Sequence, residues 1–200
     1  MKRVPRSWLA DPRFDWQLSK GRKLNSVPGK DIQVRRASQL NIDNISDFNI
    51  AMALETEGKQ LDPETVREGV QAVFSRNDLG FYVIAEQNAR PVGQLLITYE
   101  WSDWRNAFFW WIQSVYVSPE YRRHGVYRAL HYYATEGARR EGDVCGLRLY
   151  VDKGNSIAQG VYSGLNMHPT NYDMYEIDFN TNPVVPVELK LEEVEEDATG

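Results

Sequence analysis

The 200-residue chain carries a single cysteine, Cys145, and only three histidines. One cysteine excludes an internal disulfide framework, and no H-x-x-x-H or C-x-x-C spacing is present that would mark a structural metal site. A metal-independent protein of a reducing compartment is therefore expected. No apolar run approaches the roughly 20 residues needed to span a bilayer, and the N-terminus lacks the apolar core of a secretory signal. These absences predict a soluble, cytoplasmic protein with no membrane partner. Neither G-x-x-x-x-G-K-[ST] nor a G-x-G-x-x-G following a strand occurs, which argues against a nucleotide triphosphatase and a dinucleotide-dependent dehydrogenase. What is present is a hydrophobic fraction of 42%, enough for one substantial core.

The formal net charge of −5 is unevenly spread. Residues 1–30 hold eight Lys/Arg against two Asp/Glu, residues 181–200 hold one against six, and residues 31–180 hold 14 against 20. An acidic body does not suit nucleic acid. The reading is thus a basic arm (1–30), one domain (31–180) and a solvated acidic tail (181–200). Asp11, Asp15 and three prolines interrupt any amphipathic helix in the arm, so it resembles an organellar transit peptide only loosely, and targeting by it stays open.

Within the body, IQVRR (32–36) reads as a short strand and residues 43–55 as a helix, with apolar residues near helical spacing. Asp62-Pro63-Glu64 marks a second helix start by cap, first-turn proline and acid, and this helix runs to about Arg76. FYVIAE (81–86) and PVGQLLITYE (91–100) predict a hairpin, and FFWWIQSVYV (108–117) a strand buried on both faces. A helix over 126–141, a strand over 146–152, a helix over 155–165 ending at Asn166 and a closing strand YDMYEIDF (172–179) complete the order. This predicts a mixed α/β sheet rather than an alternating doubly wound one.

Between the third long strand and its helix the chain reads SPEYRRHGVYR. A helix N-terminus offers unpaired N–H groups and partial positive charge to an anion. Gly125 permits close backbone approach, while Arg122 and Arg123 can grip phosphate oxygens in a two-pronged way. Alone, such a bend is also readable as a solvated surface turn. Further along, N-x-x-A-x-x-x-Y places Asn155 and Tyr162 seven residues apart, about two turns, on one helix face.

Taken together, V-x-P-E-Y-R-x-x-G-V, the long helix, the strand and N-x-x-A-x-x-x-Y resemble the GNAT superfamily of acyl-coenzyme A-dependent N-acyltransferases, over about residues 32–179. The resemblance implies a central, mostly antiparallel sheet splayed between two strands and flanked by helices on both faces. It implies that the backbone of Val115, Tyr116 and Val117 holds the pantetheine arm of acetyl-CoA. By the same resemblance, Arg122, Arg123, His124, Gly125, Val126, Tyr127 and Arg128 hold the pyrophosphate, Asn155 contacts the cofactor arm, and Tyr162 protonates the departing thiolate. Tyr127 departs from the family's usual Gly or Ala. Either the helix start lies farther from the phosphates, or this side chain points away from them.

An amine acceptor must lose a proton, since a typical ammonium is almost fully charged near pH 7. FFWWIQSVYV offers no carboxylate, so the candidates for the base are Glu100 and Asp103 in EWSDWR, and the resemblance adds Glu55 and Glu57, because in related proteins the loop between the first two helices borders the acceptor site. Trp101 and Trp104 with the acids of EWSDWR could cage a cationic acceptor through ring faces and negative charge. The same tryptophans could instead cover the core or form a homodimer contact. The expected activity is acetyl transfer from acetyl-CoA to a small-molecule or peptidic amine, without metal. A non-catalytic acyl-CoA-binding or regulatory module is the alternative, because fold does not fix chemistry.

Overall fold

Strands β2 (Phe81–Gln87) and β3 (Arg90–Ser102) form a hairpin around Asn88 and Ala89, both in the left-handed region at φ 51° and 60°. Positive φ at both loop residues is what a two-residue hairpin turn requires, because it matches the twist of its strands. The computed structural model describes residues 32–179; the basic arm (1–30) and acidic tail (181–200) of the sequence reading lie outside the described residues.

Around the hairpin the sheet runs β1 (Ile32–Arg36), β2, β3, β4 (Ala107–Val117), β5 (Val144–Leu149). The first three pairings are antiparallel and β4 with β5 is parallel. A parallel neighbour needs a crossover, which helix α3 (Val126–Arg140) supplies. Helices α1 (Ile42–Glu57) and α2 (Pro63–Ser75) precede the hairpin, and α4 (Ser156–Ser163) follows β5. Asp62 caps α2 as expected, its carboxylate accepting from the Thr65 N–H at 2.8 Å.

Strand alternation sends successive side chains to opposite faces. Phe81, Val83, Leu95, Ile97, Trp110 and Ile112 pack with Val126, Leu130, Ala134 and Ala138 of α3. Tyr82 and Leu96 face the other way, against Ile45 of α1 and Val70 of α2. Fully buried aliphatic side chains such as Leu95 and Leu130 each contribute about 1.5–3 kcal/mol. The mixed sheet with helices on both faces agrees with the expected fold class.

Two expectations are corrected. Residues 172–179 do not close the sheet: they form no strand, and Tyr172, Met174, Tyr175, Ile177 and Phe179 are 62–94% exposed. An alternating pattern records fitness for a pleated surface, and a strand exists only where a ladder partner completes it. β4 is not buried along its whole length, since Gln113 is exposed.

Candidate functional site

The pairing of β4 changes character at Gln113. Toward its start, β4 has strands on both edges, with Phe108 to Ile112 registered against Val144 to Leu149 of β5. Past Ile112 that ladder ends, while Ser114, Tyr116 and Val117 still pair with Leu96, Gln94 and Gly93 of β3. The register slips between Leu96 and Ile97, so Gln113 is the extra residue of a bulge. Among the described residues Val115 to Val117 therefore have no strand along that edge, which leaves room for an extended ligand, and the Val117 carbonyl accepts from the Arg122 side chain.

The open edge leads to the start of α3. Ser118 bonds back to the Val92 carbonyl at 3.0 Å, and Pro119–Tyr121 make one 3-10 turn. Arg123 then sits at φ 64° and Gly125 at φ 84° before α3 begins. Gly93 lets this junction close up: a Cβ there would lie 2.9 Å from the Tyr116 carbonyl oxygen and 3.1 Å from Val126 Cγ1. The first-turn N–H groups of α3, which have no intrahelical acceptors, thus sit beside the end of β4. Arg123, His124 and Arg128 are exposed there.

Arg122 is placed differently from its neighbours. Its Nε donates to the Val117 carbonyl at 2.9 Å, and its guanidinium pairs with Glu55 at the end of α1. The other Glu55 oxygen accepts from the Tyr116 hydroxyl at 2.7 Å. Those hydrogen bonds, from Tyr116 first and Arg122 second, hold the Glu55 carboxyl below the usual carboxylate range. Sequence reasoning gave Tyr116 a backbone role only and treated Glu55 and Arg122 as separate. They lie 67 positions apart, and no local pattern signals their meeting.

Asn155 caps α4, its side-chain oxygen accepting from the Ala158 N–H at 3.0 Å. Tyr162 lies half-buried on that helix with its ring 5.7 Å from Tyr127, edge to face. Burial pushes its phenol above 10.0. Tyr127 points into the contact between α3 and α4, against Tyr162 and His131. Its hydroxyl is buried with no hydrogen-bond partner among the described residues, and that burial raises its pKa strongly.

The acceptor candidates separate. Glu100 shares a sheet face with Trp111 and Arg148: one oxygen accepts from the Trp111 indole N–H, the other from Arg148 at 2.6 Å. Arg148 lies over the Phe109 ring at 3.6 Å, and Trp111 stacks on Tyr150 at 4.4 Å. Trp101, the next residue, turns to the opposite face and packs on Phe108 at 4.9 Å. Trp104 is 87% exposed, with its backbone N–H donating to the Asp103 carboxylate. Glu100, Trp101, Asp103 and Trp104 therefore do not close into one cage in this structure, because Glu100 and Trp101, neighbours on a strand, point to opposite faces. Glu57 pairs with Lys59 on the surface. Sequence reading missed Trp111, Arg148 and Tyr150; their strand alternation was the available signal, and the β4–β5 register was the missing piece. Among the described residues no group of His, Cys, Asp or Glu could hold a metal ion.

The sequence profile of the Acetyltransferase (GNAT) family matches residues 47–167. The chain belongs to the GNAT acetyltransferase family. It is an acyltransferase, and the parted β4–β5 pair, the α3 start and α4 are the parts of that family's fold which this chain presents. A possible acetyltransferase from Clostridium difficile 630 is 42% identical, with a TM-score of 0.70, over 74% of this chain and 98% of that one. An aminoglycoside N-acetyltransferase solved in complex with CoA shares 12% identity, with a TM-score of 0.61, over 74% and 94% of the two chains. A transcriptional regulator from Bacillus halodurans C-125 shares 16%, with a TM-score of 0.64, over 74% and 99%. The last two show likeness of fold alone. A search of curated proteins returns no match.

Proposed function

We propose that this GNAT protein transfers an acetyl group from acetyl-CoA directly to an amine within a ternary complex. The carrying observation is the parting of β4 from β5 after Ile112, with the N-terminus of α3 at the end of the open edge and Tyr162 beside that helix start. These residues fit the donor. Val115, Tyr116 and Val117 would receive its extended arm along the open edge, and the loop Arg123 to Arg128 with the helix N-terminus would receive its phosphates. When bound, acetyl-CoA supplies an activated thioester.

The chain's own residues then supply orientation and proton management. A backbone N–H of the open edge polarises the carbonyl oxygen. Tyr162, kept protonated by burial, gives its proton to the leaving sulfur. Glu100, oriented by Trp111 and Arg148, takes the proton of the incoming amine directly or through water. Glu55 and Glu57 are the candidates at the end of α1 for contact with the acceptor, their charges shared with Arg122 and Lys59.

The test is calorimetric binding of CoA followed by thiol release from acetyl-CoA with a panel of amines, including polycationic aminoglycosides and peptide N-termini. Saturable CoA binding with amine-dependent release is expected. Binding without release for any amine would replace the enzyme with a regulatory module, and absence of binding would end the reading.

A further inference from the structure

Arg122 stands where a phosphate-gripping arginine is expected, yet its Nε and one terminal nitrogen are engaged with protein. Nε is fixed to the Val117 carbonyl at 2.9 Å, and the guanidinium meets Glu55. Glu55 comes from the end of α1 and is also tied to β4 by the Tyr116 hydroxyl at 2.7 Å. The pair is open to solvent, with 45% of the Arg122 side chain and 37% of the Glu55 side chain exposed. An exposed pair of this kind is weak, because water competes for both charges. A pyrophosphate offers more negative charge and a better match to a planar guanidinium than one carboxylate does.

We propose that Glu55 is a resident counter-ion for Arg122, and that donor binding exchanges it: the guanidinium leaves the Glu55 carboxylate and takes up the pyrophosphate. Before the exchange, the pair holds the bend against β4 while Arg123 sits in the left-handed region. Afterwards, Glu55 keeps the Tyr116 hydroxyl and regains a charge that Arg122 had neutralised. This proposal rests on the CoA-binding reading above. It adds that Glu55 is a positioning residue which opposes donor affinity through Arg122.

Calorimetry with CoA and with pantetheine, which has the arm but no pyrophosphate, tests it. Glu55→Gln should tighten CoA about two- to fivefold, the range a surface pair allows, and leave pantetheine unchanged. Glu55→Asp, which restores the charge, should return affinity to near the wild-type value. In an Arg122→Gln background, Glu55→Gln should no longer matter beyond a small uniform charge effect, and the difference between the two backgrounds is the coupling. Matched thermal unfolding shows that each variant is folded. Weaker or unchanged CoA binding in Glu55→Gln would overturn the exchange, as would equal tightening in both Arg122 backgrounds. Failure of the wild-type chain to bind CoA would instead bring down the functional reading itself, and it is seen before any variant is made.

Discussion

Around the start of α3 the chain presents backbone: an open strand edge at Val115–Val117, left-handed residues at Arg123 and Gly125, and a fresh helix N-terminus. Around Glu100 it presents side chains from three strands, each already engaged, with Glu100 held by Trp111 and Arg148, and Arg148 lying on Phe109. The first region is made of neighbours in sequence, and past Ile112 its strand edge has no β5 partner among the described residues. The second is assembled across the sheet and is satisfied internally. Such a contrast suits the proposed donor, an extended arm ending in phosphates, beside a face whose side chains would meet the proposed acceptor.

Removing the proposed acid tests the donor side hardest. Tyr162→Phe should lower kcat about 100-fold, within the span of general acid catalysis, with little change in the KM for acetyl-CoA. Because the acid form is active and burial lifts its pKa above 10.0, the alkaline fall in kcat should lie above that pH and vanish in the variant. Unchanged turnover would assign the phenol to packing. On the acceptor side, Glu100→Gln keeps an oxygen for the Trp111 N–H but cannot accept a proton. It should lower kcat about tenfold, less than Tyr162→Phe, because water can still take the amine proton. A loss below about twofold would make Glu100 a support for Trp111 and Arg148 only.

The same contrast explains what the sequence discloses. Asp62-Pro63-Glu64, Gly125 and Asn155 act within one turn of chain, so the cap of α2, the bend before α3 and the cap of α4 all lie where local chemistry put them. Glu100 and Trp101 are adjacent, and adjacency suggested a shared cage. Strand geometry separates them, and what Glu100 meets depends on the register of β5, 48 positions away at Arg148. Glu55 and Arg122 meet only because the end of α1 lies over the end of β4. Residues 172–179 have strand composition without a ladder, which composition alone cannot reveal.

Gly93 offers a way to disturb the donor side without touching a charged or titratable group. Gly93→Ala drives a Cβ to 2.9 Å from the Tyr116 carbonyl and 3.3 Å from Val117 Cγ2, so β4 and the start of α3 must spread. Overpacking of this kind costs about 1–3 kcal/mol. Urea unfolding should report that loss, and the KM for acetyl-CoA should rise several-fold while the KM for the amine changes less. A stability loss with an unchanged donor KM would show that the groove does not depend on this close approach.

Tyr127 is the residue at which the donor side resembles the acceptor side, since a long-range contact rather than local pattern fixes it. Its ring fills the junction of α3 with Tyr162, whereas its hydroxyl is buried with no partner among the described residues. An unsatisfied buried hydroxyl carries a desolvation cost of about 1–3 kcal/mol, and deleting it leaves no orphaned partner behind. Tyr127→Phe should therefore raise unfolding stability by about 1 kcal/mol and leave CoA affinity unchanged, because ring packing is retained. A fall in CoA affinity would mean that the hydroxyl reaches the donor after all, and α4 would then contribute its Tyr162 to a site that α3 completes from its own first turn.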